Sequence, residues 1–156
     1  MEQEPNFQFL VGVNINTANE NNISILQPIT GIDLFINEVV IEPFMHQEGN
    51  PVIIDLDMKI CLLDLNTNLN LEENDIDMRR PFSIIFNENG LNTPLILNST
   101  LYDRRYNNTI TLYIHNLSSS PFIIRKDIPI FKLIMGDFTP TTMKIINIHD
   151  HIFEPA

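Results

Sequence analysis

The segment TITLYIH, residues 109–115, decides the fold class of this chain. Its apolar residues Ile110, Leu112 and Ile114 alternate with polar or aromatic neighbours, which is the period of a half-buried β-strand. The same alternation recurs in FQFLVGV, residues 7–13, and a shorter apolar run occupies residues 145–148. Turn-forming Asn, Ser, Gly and Pro separate these runs, and a helical period is hard to find. The pattern predicts an all-β fold, either a distorted β-barrel or a jelly-roll-like sandwich.

The chain length of 156 residues suits one compact domain. We predict a β-domain over residues 1–136 and a C-terminal arm over residues 137–156. Residues 65–75 are polar and acidic, which predicts a surface excursion. Residues 87–90, Asn-Glu-Asn-Gly, are predicted to form a turn.

The charge balance limits the possible partners. The chain has nine Lys and Arg and twenty Asp and Glu, which gives a net charge of −11. We therefore expect no nucleic acid binding through the general charge of the protein surface. The basic residues that remain form a small set able to hold one anionic ligand: Arg79, Arg80, Arg104, Arg105, Arg125, Lys126 and Lys132.

The cellular location follows from weaker signals. The longest apolar run, residues 128–135, is far shorter than the roughly 20 residues of a membrane span, and residues 1–5 lack a secretory pattern. Cys61 is the single cysteine and lies in an apolar run, which predicts a buried thiol in a reducing compartment. We expect an intracellular protein of cytoplasm or nucleus, with the virion as a second location. The abundance of Asn and Ile, typical of AT-rich genomes, favours a viral source.

Two histidines near the C-terminus, His149 and His151, form a candidate metal site. If this segment were a strand, alternate positions would place both imidazoles on one face, a spacing that can chelate zinc. Solvated side chains are the simpler interpretation.

Three segments, in order along the chain, resemble motifs of the trimeric dUTPase family. TGIDL, residues 30–34, resembles the first motif, A-G-x-D-L. TLYDRRYNNTI, residues 100–110, is similar to the third motif, G-V-I-D-x-x-Y-R-G-x-I, and retains its D-x-x-Y spacing. PIFKLI, residues 129–134, resembles the fourth motif, R-I-A-Q-L-I. The resemblance covers residues 31–134, about two thirds of the chain.

The resemblance implies a homotrimer with the dUTPase-like fold that splits dUTP into dUMP and pyrophosphate. It implies that Asp103 orients the attacking water as the catalytic residue and that Tyr106 packs under the deoxyribose. Ser83 would contact the phosphates, and Asp33 would hold magnesium through its water shell. Turn and packing roles remain open for Asp103, Tyr106 and Asp33, because these residue types are common at such positions.

Several family residues are replaced. Phe82 stands where the second motif, P-R-S-S, has its phosphate-binding arginine, and Lys132 replaces the glutamine of the fourth motif. The glycine-rich fifth motif is absent, since residues 148–156 contain no glycine, although Phe153 could imitate its stacking ring. Electrostatic stabilisation of the transferring group is usually the largest catalytic term, so these losses weigh against dUTP hydrolysis.

These departures favour a catalytically degenerate, homotrimeric scaffold that binds other proteins and needs no cofactor. Two alternatives stay open: a divergent, magnesium-dependent dUTP diphosphatase, and a sensor that binds a dUTP-like nucleotide without cleaving it.

Overall fold

The structure, a computed structural model, describes residues 7–65, 81–98, 101–102 and 108–154. In these ranges the chain forms thirteen strands, a one-turn helix α1 (Glu88–Leu91), and two 3-10 turns at Phe44–Gln47 and His151–Phe153. The strands are β1 (Phe7–Val13), β2 (Ile25–Ile29), β3 (Ile32–Leu34), β4 (Val39–Ile41), β5 (Val52–Asp55), β6 (Met58–Asp64), β7 (Phe82–Phe86), β8 (Leu95–Leu97), β9 (Leu101–Tyr102), β10 (Thr111–Asn116), β11 (Phe122–Ile124), β12 (Phe131–Met135) and β13 (Thr141–Asn147).

The strands form four sheets around one core. Their orders are β2-β13-β1-β6, β5-β10-β8, β11-β4 and β3-β12-β7-β9. This arrangement is jelly-roll-like, and the described strands do not close into a barrel. The all-β prediction is confirmed, and the predicted strand at residues 7–13 is β1.

Alternation along the strands explains the core. In β10, Leu112 and Ile114 are buried while Tyr113 is partly exposed. Residues from all four sheets meet in one cluster whose largest fully buried members include Phe9, Phe82 and Phe131. Burial of each such side chain contributes about 1.5–3 kcal/mol, which makes this cluster the main source of stability.

The C-terminal residues belong to a sheet. Strand β13 runs parallel to β1 over six paired positions and antiparallel to β2 on its other side. Thr141 and Met143 are buried. Within the segment for which the sequence analysis predicts an arm, residues 137–156, the structure has strand β13 between β1 and β2, and Met143 of this strand faces the core.

A second, smaller hydrophobic cluster lies on the opposite face of β1. Leu10, Cys61 and Leu63 are covered there by Phe153 from the C-terminal 3-10 turn. A Cβ atom added to Gly12 would overlap the Phe153 ring and come within 3.0 Å of the Ile148 Cα, so the close packing requires glycine. The prediction that Cys61 is a buried thiol is confirmed.

The predicted turn at residues 87–90 is wrong in part, because the chain forms helix α1 there. The Asn87 side chain caps it by accepting a hydrogen bond from the Gly90 N–H at 3.0 Å. Gly90 is buried, and a Cβ atom on it would overlap the Ile130 carbonyl oxygen and the Phe86 ring. Asparagine favours both turns and N-caps, so its presence alone does not distinguish them.

In the ranges that the structure describes, the chain has no helix long and apolar enough to cross a membrane.

Candidate functional site

A polar recess of about 280 Å³ opens beside the edge strand β3. Its lining combines one carboxylate on a strand, one lysine on the neighbouring strand, and the start of helix α1. The lining residues are Thr30, Gly31, Asp33, Asn87, Glu88, Asn89 and Lys132. The first and fourth motifs of the sequence analysis therefore meet in this recess.

Asp33 faces the recess because it is the outward residue of β3. Its neighbours Ile32 and Leu34 are buried in the core, and alternation directs the carboxylate to the other side. The preceding turn has Gly31 at φ 77°, a left-handed conformation that favours glycine. Asp33 thus lies within a strand, so it does not serve merely as a turn residue.

Asn87 holds the Asp33 carboxylate in place. Its amide nitrogen donates to Asp33 Oδ1 at 3.1 Å and to the Pro129 carbonyl at 2.9 Å. Its amide oxygen caps α1 through Gly90, and the residue is only 8% exposed. One buried side chain therefore joins β3, α1 and the segment leading into β12.

We expect Asn87→Ala to lower the free energy of unfolding by about 2 kcal/mol, because it removes the helix cap and leaves the N–H of the buried Gly90 without its acceptor. Chemical denaturation followed by circular dichroism measures the change. The matched control is Asn92→Ala at the exposed C-terminus of the same helix, for which we expect a change within about 0.5 kcal/mol. Equal losses in the two variants would contradict the role given to Asn87.

Lys132 is the direct cross-strand neighbour of Asp33 in the β3–β12 pair. Such neighbours have Cβ atoms about 4.5–5.5 Å apart and project from the same face of the sheet. The aliphatic part of Lys132 passes over Gly31, where the position of an added Cβ would be 3.0 Å from Lys132 Cδ. The absence of a side chain at Gly31 gives the lysine room to extend along the recess.

Ser83 lies apart from this recess. It is 6% exposed on β7, where it pairs with Ile134 of β12 and Leu101 of β9. The residue of β7 that pairs with Lys132, in the same cross-strand row as Asp33, is Ile85 and not Ser83. Strand spacing and rise put Ser83 roughly 12 Å from Asp33. The structure therefore does not bring these two predicted site residues together.

Phe82, which stands at the position of the expected arginine, belongs to the core. It is 0% exposed, stacks on Tyr102 with ring centroids 5.1 Å apart, and meets Phe9 edge-on at 5.6 Å. Because side chains alternate along β7, Phe82 points into the core and Ser83 lies on the opposite face of the strand, where it is also buried. The side chain at position 82 is therefore part of the hydrophobic core.

The remaining predicted catalytic residues, Asp103 and Tyr106, lie outside the described residues, as do Arg79, Arg80, Arg104 and Arg105. Their assignments stay predictions. Of the other basic residues, Arg125 pairs with Glu38 at 3.6 Å, and Lys132 lies in the recess.

The histidine pair does not have the strand geometry that its spacing suggested. Strand β13 ends at Asn147, and His151 begins the 3-10 turn with its side chain 90% exposed beside Asp150. Within the described ranges, no three metal-ligating side chains cluster. The zinc interpretation therefore has no structural basis in this part of the chain.

The sequence analysis missed Asn87, Glu88, Asn89 and Thr30 as recess residues. The one sequence signal is Asn87, because asparagine is a preferred N-cap residue and could have indicated a short helix that begins at residue 88. Their proximity to Asp33 results from long-range strand pairing, which local sequence does not report.

The recess residues fit a hydrated magnesium ion, the metal that the family resemblance implies. Magnesium prefers oxygen ligands, keeps several waters, and is commonly held by one or two carboxylates together with substrate phosphates. Asp33 supplies one exposed carboxylate, fixed by Asn87, next to open space. A metal in this recess would depend on water and ligand oxygens for the rest of its coordination shell.

The fold and the site together define the class of this protein: an all-β, jelly-roll-like domain with a polar recess beside its edge strand β3. The chain matches no protein-family model and no curated protein sequence. Its structure is similar to that of a mutant dUTPase from phage 80alpha, with a TM-score of 0.56 and 14% identity, covering 81% of each chain. The dUTPase of Staphylococcus bacteriophage 80alpha solved with dUPNHPP gives a TM-score of 0.56 at 14% identity, covering 81% of this chain and 80% of that one.

A mutant dUTPase from phage phi11 of S. aureus, solved with a structural Mg(II) ion, gives a TM-score of 0.52 at 13% identity. The match covers 81% of this chain and 88% of that one. These likenesses show that the protein has the fold of the dUTPases, as the motif resemblance predicted.

Proposed function

We propose that this protein is a catalytically degenerate member of the dUTPase fold that acts as a homotrimeric scaffold for other proteins. The main observation in support of this proposal is the burial of Phe82 in the hydrophobic core. Phosphoryl transfer depends on cations placed around the phosphates, and the position expected to supply one holds an aromatic core residue instead.

The packing of Phe153 supports the same conclusion. This residue was the one candidate for the ring that closes over a substrate base. It is 5% exposed and is held against Gly12 and Leu10 in the second cluster. Releasing it to cover a substrate would expose that cluster to water, at a cost of about 1.5–3 kcal/mol for the phenylalanine alone.

An exposed apolar surface favours protein contacts. The outer face of sheet β5-β10-β8 carries Ile53, Tyr113 and Ile96, which are 64%, 39% and 45% exposed. Tyr113 and Ile53 are cross-strand partners, so these side chains are adjacent. Grouped apolar side chains on a surface mark interaction sites. A protein with a net charge of −11 associates with its own copies most readily through such an uncharged face.

A viral, intracellular setting agrees with this role. The dUTPase of Staphylococcus bacteriophage 80alpha is described as controlling the transfer of virulence genes by a G protein-like mechanism. A dUTPase fold in a phage thus serves functions beyond nucleotide hydrolysis. The buried thiol Cys61 fits a reducing compartment. The proposed scaffold role extends to the virion as a second location.

Pyrophosphate release from dUTP with magnesium tests the loss of catalysis. We expect purified, folded protein to release no more pyrophosphate than its Asp103→Asn variant, because an oriented water without phosphate clamps accelerates hydrolysis little. Turnover by the wild-type protein that disappears in the variant would contradict the proposed loss of catalysis. It would support the alternative that the protein is a divergent dUTP diphosphatase. Light scattering on the same sample tests the assembly, with an expected mass three times that of the 18.0 kDa chain.

Nucleotide binding without hydrolysis is the second candidate function. The recess that joins Asp33 to Lys132 favours it, because a carboxylate and an ammonium side by side match a magnesium–phosphate complex. Such a protein would sense a dUTP-like nucleotide while its trimer binds other partners.

A further inference from the structure

The β11 groove, a cleft of about 240 Å³, lies between strand β11 and the C-terminal end of helix α1. Its lining includes all of β11 (Phe122–Ile124) on one side, and Asn92 and Thr93 on the other. Among the described lining residues, Asn89 is the one that the groove shares with the recess that contains Asp33. The groove is therefore a separate surface feature of the domain.

The groove follows the edge of β11. Side chains alternate between the two faces of a strand, so a groove lined by three consecutive residues runs along the edge of that strand. Within the described part of the chain, β11 pairs with β4 and with no second strand. The edge of such a strand presents backbone N–H and C=O groups that can pair with another chain.

We propose that the β11 groove takes a short extended segment of a partner protein, which pairs with β11 as an antiparallel strand and has a carboxylate opposite Arg125. This inference rests on the proposed scaffold function and gives the kind of partner segment that one surface of the scaffold binds. In such strand addition, main-chain hydrogen bonds provide the affinity and alternate side chains provide the specificity.

The apolar side chains around β11 suit an added strand. Ile123 and its cross-strand neighbour Val40 are both exposed, and they form a short apolar row across the β11–β4 pair. A residue opposite Ile123 on an added strand would extend this row by one position. Ile128, which is also exposed, and the half-buried Phe122 add apolar surface in the groove itself. Grouped apolar side chains of this kind mark interaction sites.

Arg125 gives the groove its preference for a negative charge. It is the only charged side chain among the described residues that line the groove, in a chain whose net charge is −11. Its guanidinium group lies 3.6 Å from the carboxylate of Glu38, and both side chains are more than half exposed. Exposed ion pairs contribute little to stability, so the carboxylate of a partner can replace that of Glu38. The segment that fits is therefore apolar in its centre and acidic at the end that meets Arg125.

Fluorescence anisotropy with a synthetic pentapeptide, acetyl-Asp-Val-Val-Val-Thr with a neutral dye at its carboxyl end, tests this inference. Aligned antiparallel to β11, the peptide places its aspartate opposite Arg125 and its central valine opposite Ile123. We expect the wild-type protein to bind this peptide about tenfold more tightly than the same peptide with lysine in place of aspartate, because the lysine meets a like charge. Methylation of the valine amide nitrogens should weaken binding at least about tenfold, because it removes the main-chain donors.

Two exposed residues allow the charge assignment to be tested in the protein. Arg125→Glu should reverse the preference, so that the lysine peptide binds more tightly than the aspartate peptide. Glu38→Gln should strengthen binding of the aspartate peptide about threefold, because the guanidinium group loses its competing carboxylate. Lys144→Glu is the matched control, since it makes the same change in net charge at an exposed position of β13 outside the groove lining. It should keep the wild-type preference, and thermal unfolding should show that all variants are folded.

The outcomes separate this inference from the scaffold function. Equal binding of the aspartate and lysine peptides would overturn the role of Arg125, and undiminished binding of the methylated peptide would overturn strand addition. No binding of the aspartate peptide to a protein that is trimeric and releases no pyrophosphate would overturn the β11 groove as a partner site while the scaffold function stands. Pyrophosphate release from dUTP by a protein that binds the peptide as expected would instead contradict the loss of catalysis and leave the groove assignment in place.

Discussion

Phe82→Arg, which restores the arginine of the second motif, should prevent stable folding instead of reviving an enzyme. We expect the free energy of unfolding to fall by more than about 4 kcal/mol, because an unpaired charge is forced into the core. Phe82 is 0% exposed and contacts the rings of Phe9 and Tyr102, so a guanidinium group there would be buried against aromatic side chains. Urea denaturation followed by circular dichroism measures the loss.

Two variants of β7 control for size and for charge. Phe82→Leu keeps an apolar side chain and should cost about 1.5 kcal/mol. Ile85→Arg places the same charge on the outer face of the same strand, where the half-buried residue can reach solvent, and should cost far less than Phe82→Arg. If the two arginine variants were equally stable, residue 82 would not point into the core, and the argument against catalysis would lose its main support.

Phe153→Ala should lower the free energy of unfolding by about 3 kcal/mol, as expected for removal of a buried aromatic ring. Phe153 is 5% exposed and covers Leu10, Cys61 and Leu63. A residue that served only as a movable lid would leave stability unchanged when truncated. The matched control is Phe138→Ala, because Phe138 is 61% exposed and its loss should change stability by about 0.5 kcal/mol or less.

The contact between Gly12 and the Phe153 ring allows a more direct test of how Phe153 packs in the second cluster. Gly12→Ala alone should destabilise the protein, since the new methyl group overlaps the Phe153 ring. In the Phe153→Ala background the same substitution should cost less, although the Ile148 Cα at 3.0 Å still crowds it. The double-mutant cycle should therefore show a coupling of about 1 kcal/mol or more. Additive losses would show that the ring does not rest on Gly12.

The all-β fold was predictable from local pattern. Alternating residues in the segments 7–13 and 109–115 predicted strands that the structure contains, and the ordered motifs predicted the dUTPase fold. Short-range periodicity reports secondary structure because side chains alternate in direction along any strand. The same pattern does not report which strands pair, and the parallel pairing of β1 with β13 joins segments more than a hundred residues apart.

The candidate site was predictable only in part. Asp33 was found by its motif, and Lys132 was recognised as a departure from the family, but their direct opposition comes from the register of β3 and β12. Asn87 was assigned to a turn, because a sequence cannot show that an amide will reach a carboxylate fifty-four positions away.

By itself the sequence determined the strand content, the acidic charge, the single thiol and the replaced motif residues. Only the tertiary structure decided that Phe82 faces the core, that Phe153 rests on Gly12, and that Ser83 lies apart from Asp33. The reason is physical. Alternation separates the residues of a strand into two sets, but the packing of whole sheets against one another decides which set meets the core.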